Sequence, residues 1–248
     1  MGTDTFPDAA THWLAPAHPG ETLAIGATSG PMARRLVGDG RVVTVVDQDV
    51  PALVRQHRRG LWRRAIAARP EALPFATGLF ETVVIANAAH AFTTKLAPRE
   101  FARVLNRGGR LAVQCTERDD SVPWVRRLAA IMRRVDPNAM TARSGVDAVA
   151  SLADSPYFVH VEHRKFRMWV PVSKDELLDQ VAQNEQVAKL SAAEIADVLD
   201  EIGRLYDSSA RAPEPLLLPY TVACWRAEAN YISLGAGSAP SSGFTISF

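Results

Sequence analysis

Only two cysteines, Cys115 and Cys224, occur in this chain of 248 residues. Both sit in apolar, strand-like runs (LAVQC and TVACW), where a buried, reduced thiol is expected, and their spacing offers no partners for a disulfide framework or a metal site. No other set of His, Cys, Asp and Glu has metal-ligand spacing, so no metal is expected. No apolar run approaches the length of a membrane span. Residues 1–19 carry no basic region followed by an apolar stretch, so secretion is not signalled and a cytoplasmic address is expected. The net charge is only +1, which argues against a protein built to hold nucleic acid electrostatically. There is no internal repeat and no heptad seam, which leaves the oligomeric state open.

What is present is the material of one packed α/β domain. Apolar residues make up 47% and charged residues 22% of the chain, a balance that favours a filled core over disorder. The length suits one large domain with a helical insertion better than two full domains. Thr22–Ile25 reads as a strand, followed by the turn Gly26–Gly30 and a helix through Met32, Leu36 and Val37 that Gly38 and Gly40 end. Val42–Val46 is a β-branched run closed by Asp47, as a buried parallel strand would be. Pro51 opens a helix running to about Arg59.

A weaker strand lies near Ala65–Ala67, before the loop Pro70–Pro74. Thr82–Ala86 is the fourth strand, Pro98–Leu105 a helix, Asn106–Gly109 a glycine turn and Arg110–Gln114 the fifth strand. Strands and helices in this alternation imply βαβ units. The later chain reads as a helix at Val122–Val135, a loop-rich stretch, a strand at Tyr157–Pro171, capping boxes at Ser173–Glu176 and Ser191–Glu194, each opening a helix, and a last strand at Tyr220–Trp225. From about Gly235 the composition predicts a disordered tail.

In a doubly wound sheet, ligands bind outside the carboxyl ends of the strands where strand order reverses. Here that place is flanked by the Gly26–Gly30 turn and by Asp47, whose carboxylate can accept two hydrogen bonds from ribose hydroxyls. By itself the pair is a weak signal, because Asp47 could simply cap the next helix.

Read together, the segments TLAIGATSG, VVDQD, PEALPF, FETVVIANAAHAF and FARVLNRGGRLAV resemble, in unbroken order, the successive motifs of the class I methyltransferases dependent on S-adenosylmethionine (SAM), in particular the small-molecule group called type 11. DELLDQVAQNEQVAKLSAAEIADVLDEI and PLLLPYTVACWRA are similar to the helical cap and last strand of bacterial relatives. The resemblance implies a Rossmann-like, doubly wound, mostly parallel seven-stranded sheet with a small helical cap before the last strand. The domain would span residues 1–234, its cap about 138–210, with 235–248 as the tail.

The resemblance also implies SAM as cofactor and a small-molecule acceptor. Gly26 and Gly30 would line the methionine and ribose of SAM, with Ala27 of the same turn counted among the cofactor-binding positions. Asp47 would hold the ribose hydroxyls, with Gln48 beside the adenine; Glu71 and Ala72 would lie at the adenine edge, and Asn87 near the sulfonium. His90 would face the acceptor and, as a neutral imidazole, take a proton from it. Phe92, Arg143 and Trp169 are further acceptor-lining candidates. Two arginine clusters, Arg55, Arg58, Arg59, Arg63 and Arg64, and Arg126, Arg127, Arg133 and Arg134, read first as solvated helix faces and mildly favour an anionic acceptor. His160 and His163 read as surface positions of a strand, and Trp124, Trp169 and Trp225 as core or cap packing.

Three positions depart from the pattern: Ala24 and Arg69 stand where relatives usually carry acids, and Thr28 replaces the middle glycine of the turn. They motivate the alternative of a methyltransferase-like protein that has lost catalysis and serves a binding or regulatory role. A nicotinamide-dependent dehydrogenase fits less well, because the turn is not G-x-G-x-x-G.

Overall fold

The computed structural model describes residues 6–15, 20–26, 30–57, 62–87, 96–137, 149, 152, 154–211 and 215–236. In chain order the elements are α1 (Asp8–Leu14), β1 (Glu21–Ile25), α2 (Gly30–Gly38), β2 (Val42–Asp47), α3 (Val50–His57), β3 (Arg64–Ala67), β4 (Phe80–Ala86), α4 (Ala97–Val104), β5 (Leu105–Arg118) and α5 (Pro123–Val135). They continue with β6 (Phe158–Val172), α6 (Lys174–Ala182), a 3-10 turn (Val187–Lys189), α7 (Ala192–Ser209), β7 (Leu216–Ala229) and α8 (Tyr231–Ala236). The strands form one seven-stranded sheet in the order β3-β2-β1-β4-β5-β7-β6. Strands β1 to β5 pair in parallel. As β5 advances from Arg110 to Asp119, the contacting residue of β7 retreats from Glu228 to Pro219, so β7 runs antiparallel. This is the expected doubly wound methyltransferase topology.

The central strands are buried on both faces, which is why they read as unbroken apolar runs. In β1, Leu23 and Ile25 point to one face and Ala24 to the other, and all are at most 1% exposed. Residues 8–115, 144–164 and 223–248 make one compact unit. Its main core joins Leu23, Ile25, Val83, Ile85, Leu111 and Val113 of the sheet to Phe101 and Ala102 of α4, Phe158 and Trp225. Cys115 and Cys224 are buried and not joined in a disulfide, as expected, and burial first, then the neighbouring Cys115, pushes the Cys224 thiol up to about 12.

Residues 1–7, 116–143 and 165–222 make the other unit. There the amphipathic faces of α5, α6 and α7 pack Val125, Leu128, Leu177, Val181, Ile202 and Leu205 against Val172, Leu216 and Leu218. Both expected capping boxes form, with Ser173 and Ser191 each accepting from the N–H of the glutamate three residues on and that glutamate's carboxylate accepting from the serine N–H. The Tyr206 hydroxyl donates to the carbonyl of Val172 (3.0 Å) and accepts from the N–H of Leu216 (3.3 Å).

Two expectations shift, and the expected strand at Tyr157–Pro171 forms with one irregularity. The glycine turn at Asn106–Gly109 is instead a bulge within β5: Phe80 pairs with Leu105 and Thr82 already with Arg110. Gly108 takes φ +79, and a Cβ on Gly109 would stand 2.8 Å from the Asn106 carbonyl oxygen, so the bulge admits glycine where a side chain would clash. The last strand is longer than Tyr220–Trp225, running over Leu216–Ala229. In β6 the alternation is clean over Phe166–Val172, while His160 sits at φ +52, which breaks the period. The residues beyond Ala236 expected to form a tail lie outside the described residues.

Candidate functional site

The carboxyl ends of β3, β2, β1 and β4 emerge side by side. Ile25 is in register with both Val46 and Ile85, and Asp47 with Ala67. Gly26, Asp47, Asn87 and the segment following Ala67 therefore share one edge of the sheet, the edge at which doubly wound folds bind ligands.

Gly26 leaves β1 at φ +84, with its N–H donating to the Val46 carbonyl at 2.8 Å. That conformation costs glycine nothing and turns the chain off the sheet into α2. Asp47 is half-buried at the end of β2. Its Oδ1 accepts from the Asp49 N–H (2.8 Å), while Asp49 Oδ1 accepts from the Ala52 N–H (2.9 Å). Asp49 is thus the residue that caps α3, and the capping role left open for Asp47 falls to its neighbour. Gln48 is exposed between them. Asn87 closes β4 in the left-handed region (φ +52), and its N–H donates to the Gln114 carbonyl at 2.9 Å. Asparagine tolerates this conformation better than any β-branched residue would.

Beyond β3 the chain folds into a tight turn in which the Ala72 N–H donates to the Arg69 carbonyl (3.1 Å). Glu71 lies within this turn, its carboxylate 3.4 Å from Arg69 Nε. The loop after the turn is gripped by α4. Glu100 Oε2 accepts from the Leu73 N–H (3.0 Å), and Arg103 donates from Nη2 to the Leu73 carbonyl (3.0 Å) and from Nη1 to that of Phe75 (2.7 Å). Arg103 also pairs with Glu100 through Nε and Nη2, both at 2.7 Å. Burial opposes ionisation of the Glu100 carboxyl, but the hydrogen bonds from Arg103 and Leu73 outweigh it and hold its pKa below the ordinary carboxylate value. The same bonds, working against burial, raise the pKa of Arg103. Sequence reasoning passed over this pair, whose spacing on a helix looks like any surface ion pair.

Ala24 is fully buried, in register with Val45 and Val84, so the position where relatives carry an acid is here an apolar part of the sheet. Gly30 opens α2. Ala27, Thr28, His90, Phe92 and Arg143 lie outside the described residues. Trp169, on β6 in the other unit, is 47% exposed and so is not packed as expected, whereas Trp225 is 7% exposed in the core. His160 is exposed beside Glu228, and His163 stacks on Trp225 at 4.7 Å. In the second arginine cluster, Arg133 faces Asp120 and Arg134 pairs with Glu201, while Arg126 donates to the carbonyls of Asp120 and Ser121.

Residues 23–113, which contain Gly26, Asp47, the gripped loop and Asn87, match the model of a methyltransferase domain. That stretch of the chain carries a methyltransferase domain. An uncharacterized methyltransferase of Mycobacterium tuberculosis is 29% identical over 230 residues, covering 91% of this chain and 90% of the relative, and one of Mycobacterium bovis matches equally. Among solved structures, one assigned as a type II methyltransferase of Anaeromyxobacter dehalogenans superposes with a TM-score of 0.66 at 21% identity, covering 90% of this chain and 96% of that one. Another, assigned as a methyltransferase of an antibiotic biosynthesis pathway in Anabaena variabilis, gives a TM-score of 0.55 at 14% identity, over 89% and 98% of the two chains. These structural likenesses bear on the fold alone. Methyltransferases with a SAM-dependent domain of this kind use SAM as methyl donor.

Proposed function

We propose that this methyltransferase binds SAM at the shared edge of β3, β2, β1 and β4 and transfers its methyl group to a small-molecule acceptor. The observation that carries the reading is Asp47 beside Gly26 at the ends of adjacent parallel strands. A carboxylate there can accept both hydroxyls of a ribose, and a glycine at positive φ lets the backbone approach the ligand closely. The turn holding Glu71 and Ala72 follows the next strand, where the adenine edge is expected, and the Glu100–Arg103 grip fixes the loop beyond it. This donor set fits the nucleoside half of SAM. Ala24 offers no partner to the ammonium end, so the nucleoside half supplies the larger share of binding.

Bound SAM supplies an electrophilic methyl carbon, which an acceptor lone pair attacks while the carbon–sulfur bond breaks and its electrons stay on sulfur. The chain's own task is to orient the acceptor and exclude water. His90, three positions after Asn87 in the sequence, is the group proposed to take a proton from an acceptor hydroxyl. The arginine-rich composition supports an anionic acceptor, although Arg126, Arg133 and Arg134 are engaged locally.

The test is calorimetric titration with SAM and with S-adenosylhomocysteine, repeated on Asp47→Ala. Micromolar binding, about 8 kcal/mol, that is lost in the variant supports the assignment. If neither ligand binds at millimolar concentration, the reading fails. The buried Ala24 and the Arg69–Glu71 pair then support the second reading, a non-catalytic protein with a binding or regulatory role.

A further inference from the structure

Well away from that edge, near the start of β4 and β5, a cavity of about 330 Å3 opens between α4 and α8. Thr77, Arg99, Arg103, Tyr231, Leu234 and Gly235 line it. Its volume lies at the small end of the range for ligand sites. Arg103 is held still by Glu100 and by the carbonyls of Leu73 and Phe75. Arg99 is exposed and has no hydrogen bond or ion pair among the described residues. The Arg107 guanidinium lies 6.0 Å from the centre of the Tyr231 ring. Glu100 is hydrogen-bonded to Arg103, so Arg99 is the lining cation that no carboxylate hydrogen-bonds among the described residues.

The walls are of a different kind. Leu234 and the ring of Tyr231 are apolar, and the Tyr231 hydroxyl is committed to the Leu105 carbonyl. Thr77 adds a hydroxyl that can donate or accept. The Arg99 guanidinium on the lining matches a carboxylate in a forked geometry, while the apolar walls would take the body behind it.

We propose that this cavity is a second ligand site, distinct from the methyl-transfer edge, that takes a small carboxylate with an apolar body. The probe is benzoate, titrated calorimetrically into the full chain without any nucleoside ligand, beside neutral benzamide and acetate. Benzoate is expected to bind saturably at a single site, with benzamide and acetate each at least about tenfold weaker, because one lacks the charge and the other the body. Arg99→Gln is expected to weaken benzoate at least about tenfold while leaving the melting temperature unchanged, since its side chain is exposed. Thr77→Val should weaken it by a smaller factor. Benzamide or acetate binding as well as benzoate, an unchanged affinity in Arg99→Gln, or no saturation by benzoate would each overturn the proposal. None of these outcomes depends on whether SAM binds.

Discussion

Glu100 and Arg103, one turn apart on α4, act together on a loop 27 residues away in sequence: the carboxylate accepts the Leu73 N–H and the guanidinium holds the Leu73 and Phe75 carbonyls. Arg103→Met removes both carbonyl bonds and leaves Glu100 without its cation. A loss of about 2 kcal/mol in unfolding free energy is expected, read by urea denaturation. A loss below a few tenths would mean that the loop holds itself.

The same pair sets an acid limb. The folded pKa of Glu100 lies below its ordinary value of 4.5, so its contribution to stability is complete above that value and disappears as pH falls through the folded pKa. Stability of the parent chain should therefore fall more steeply below about pH 4.5 than that of Glu100→Gln, with the gap between them closing as the medium becomes acid. A constant gap from pH 7 down to pH 3 would show that the carboxylate charge contributes nothing.

Backbone conformation at the site yields opposite expectations for two neighbours. Gly26 at φ +84 accepts no side chain without strain, so Gly26→Ala should cost about 1–2 kcal/mol and weaken nucleoside binding with it. Asn87 at φ +52 already bears that strain. Asn87→Gly should leave the melting temperature unchanged or raised, and Asn87→Val should lower it by several degrees, about 1–2 kcal/mol. Equal melting temperatures for the two variants would refute the assignment of strain.

These residues also show what could be read without coordinates. β-branched runs ending in Asp47 and Ala86 declare buried parallel strands because both faces are covered, and the two capping boxes place helix starts to the residue because each uses a fixed three-residue spacing. The Asn106–Gly109 segment misleads, since a glycine pair marks positive φ equally well in a turn or a bulge. The outer length of β7 was illegible for another reason: Leu217 is exposed, so no clean pattern of burial marks its first residues as strand. At the site, Gly26, Asp47 and Asn87 fall where a strand–turn reading puts them. Glu100 and Arg103 do not declare themselves, because their purpose depends on a loop that only the folded sheet brings near.

In the unit built from residues 1–7, 116–143 and 165–222, the Tyr206 hydroxyl is a test of buried polar satisfaction. Tyr206→Phe strands the Val172 carbonyl and the Leu216 N–H, at an expected cost of about 1–3 kcal/mol. Ser191→Ala removes the cap of α7 for about 1 kcal/mol. The two residues share no partner, so the double variant should lose the sum to within about 0.5 kcal/mol. A shortfall larger than that would mean that α7 frays as one unit once either end is weakened.

Asp47 and Asp49 separate binding from folding at a spacing of two residues. Asp49 caps α3 through the Ala52 N–H, so Asp49→Ala should lose about 1 kcal/mol of stability and keep its affinity for S-adenosylhomocysteine within about twofold. Asp47 has its Oδ1 on the Asp49 N–H, a local bond of the kind that contributes about 0.5–1.5 kcal/mol. Its larger effect is expected on the ligand, because a carboxylate that meets a ribose diol makes charge-assisted bonds that alanine cannot replace. Asp47→Ala should therefore weaken S-adenosylhomocysteine at least about tenfold, which is about 1.4 kcal/mol or more. If the two variants lose affinity equally, the ligand is sensing the start of α3 as a whole. The carboxylate at the end of β2 would then not be the ribose acceptor.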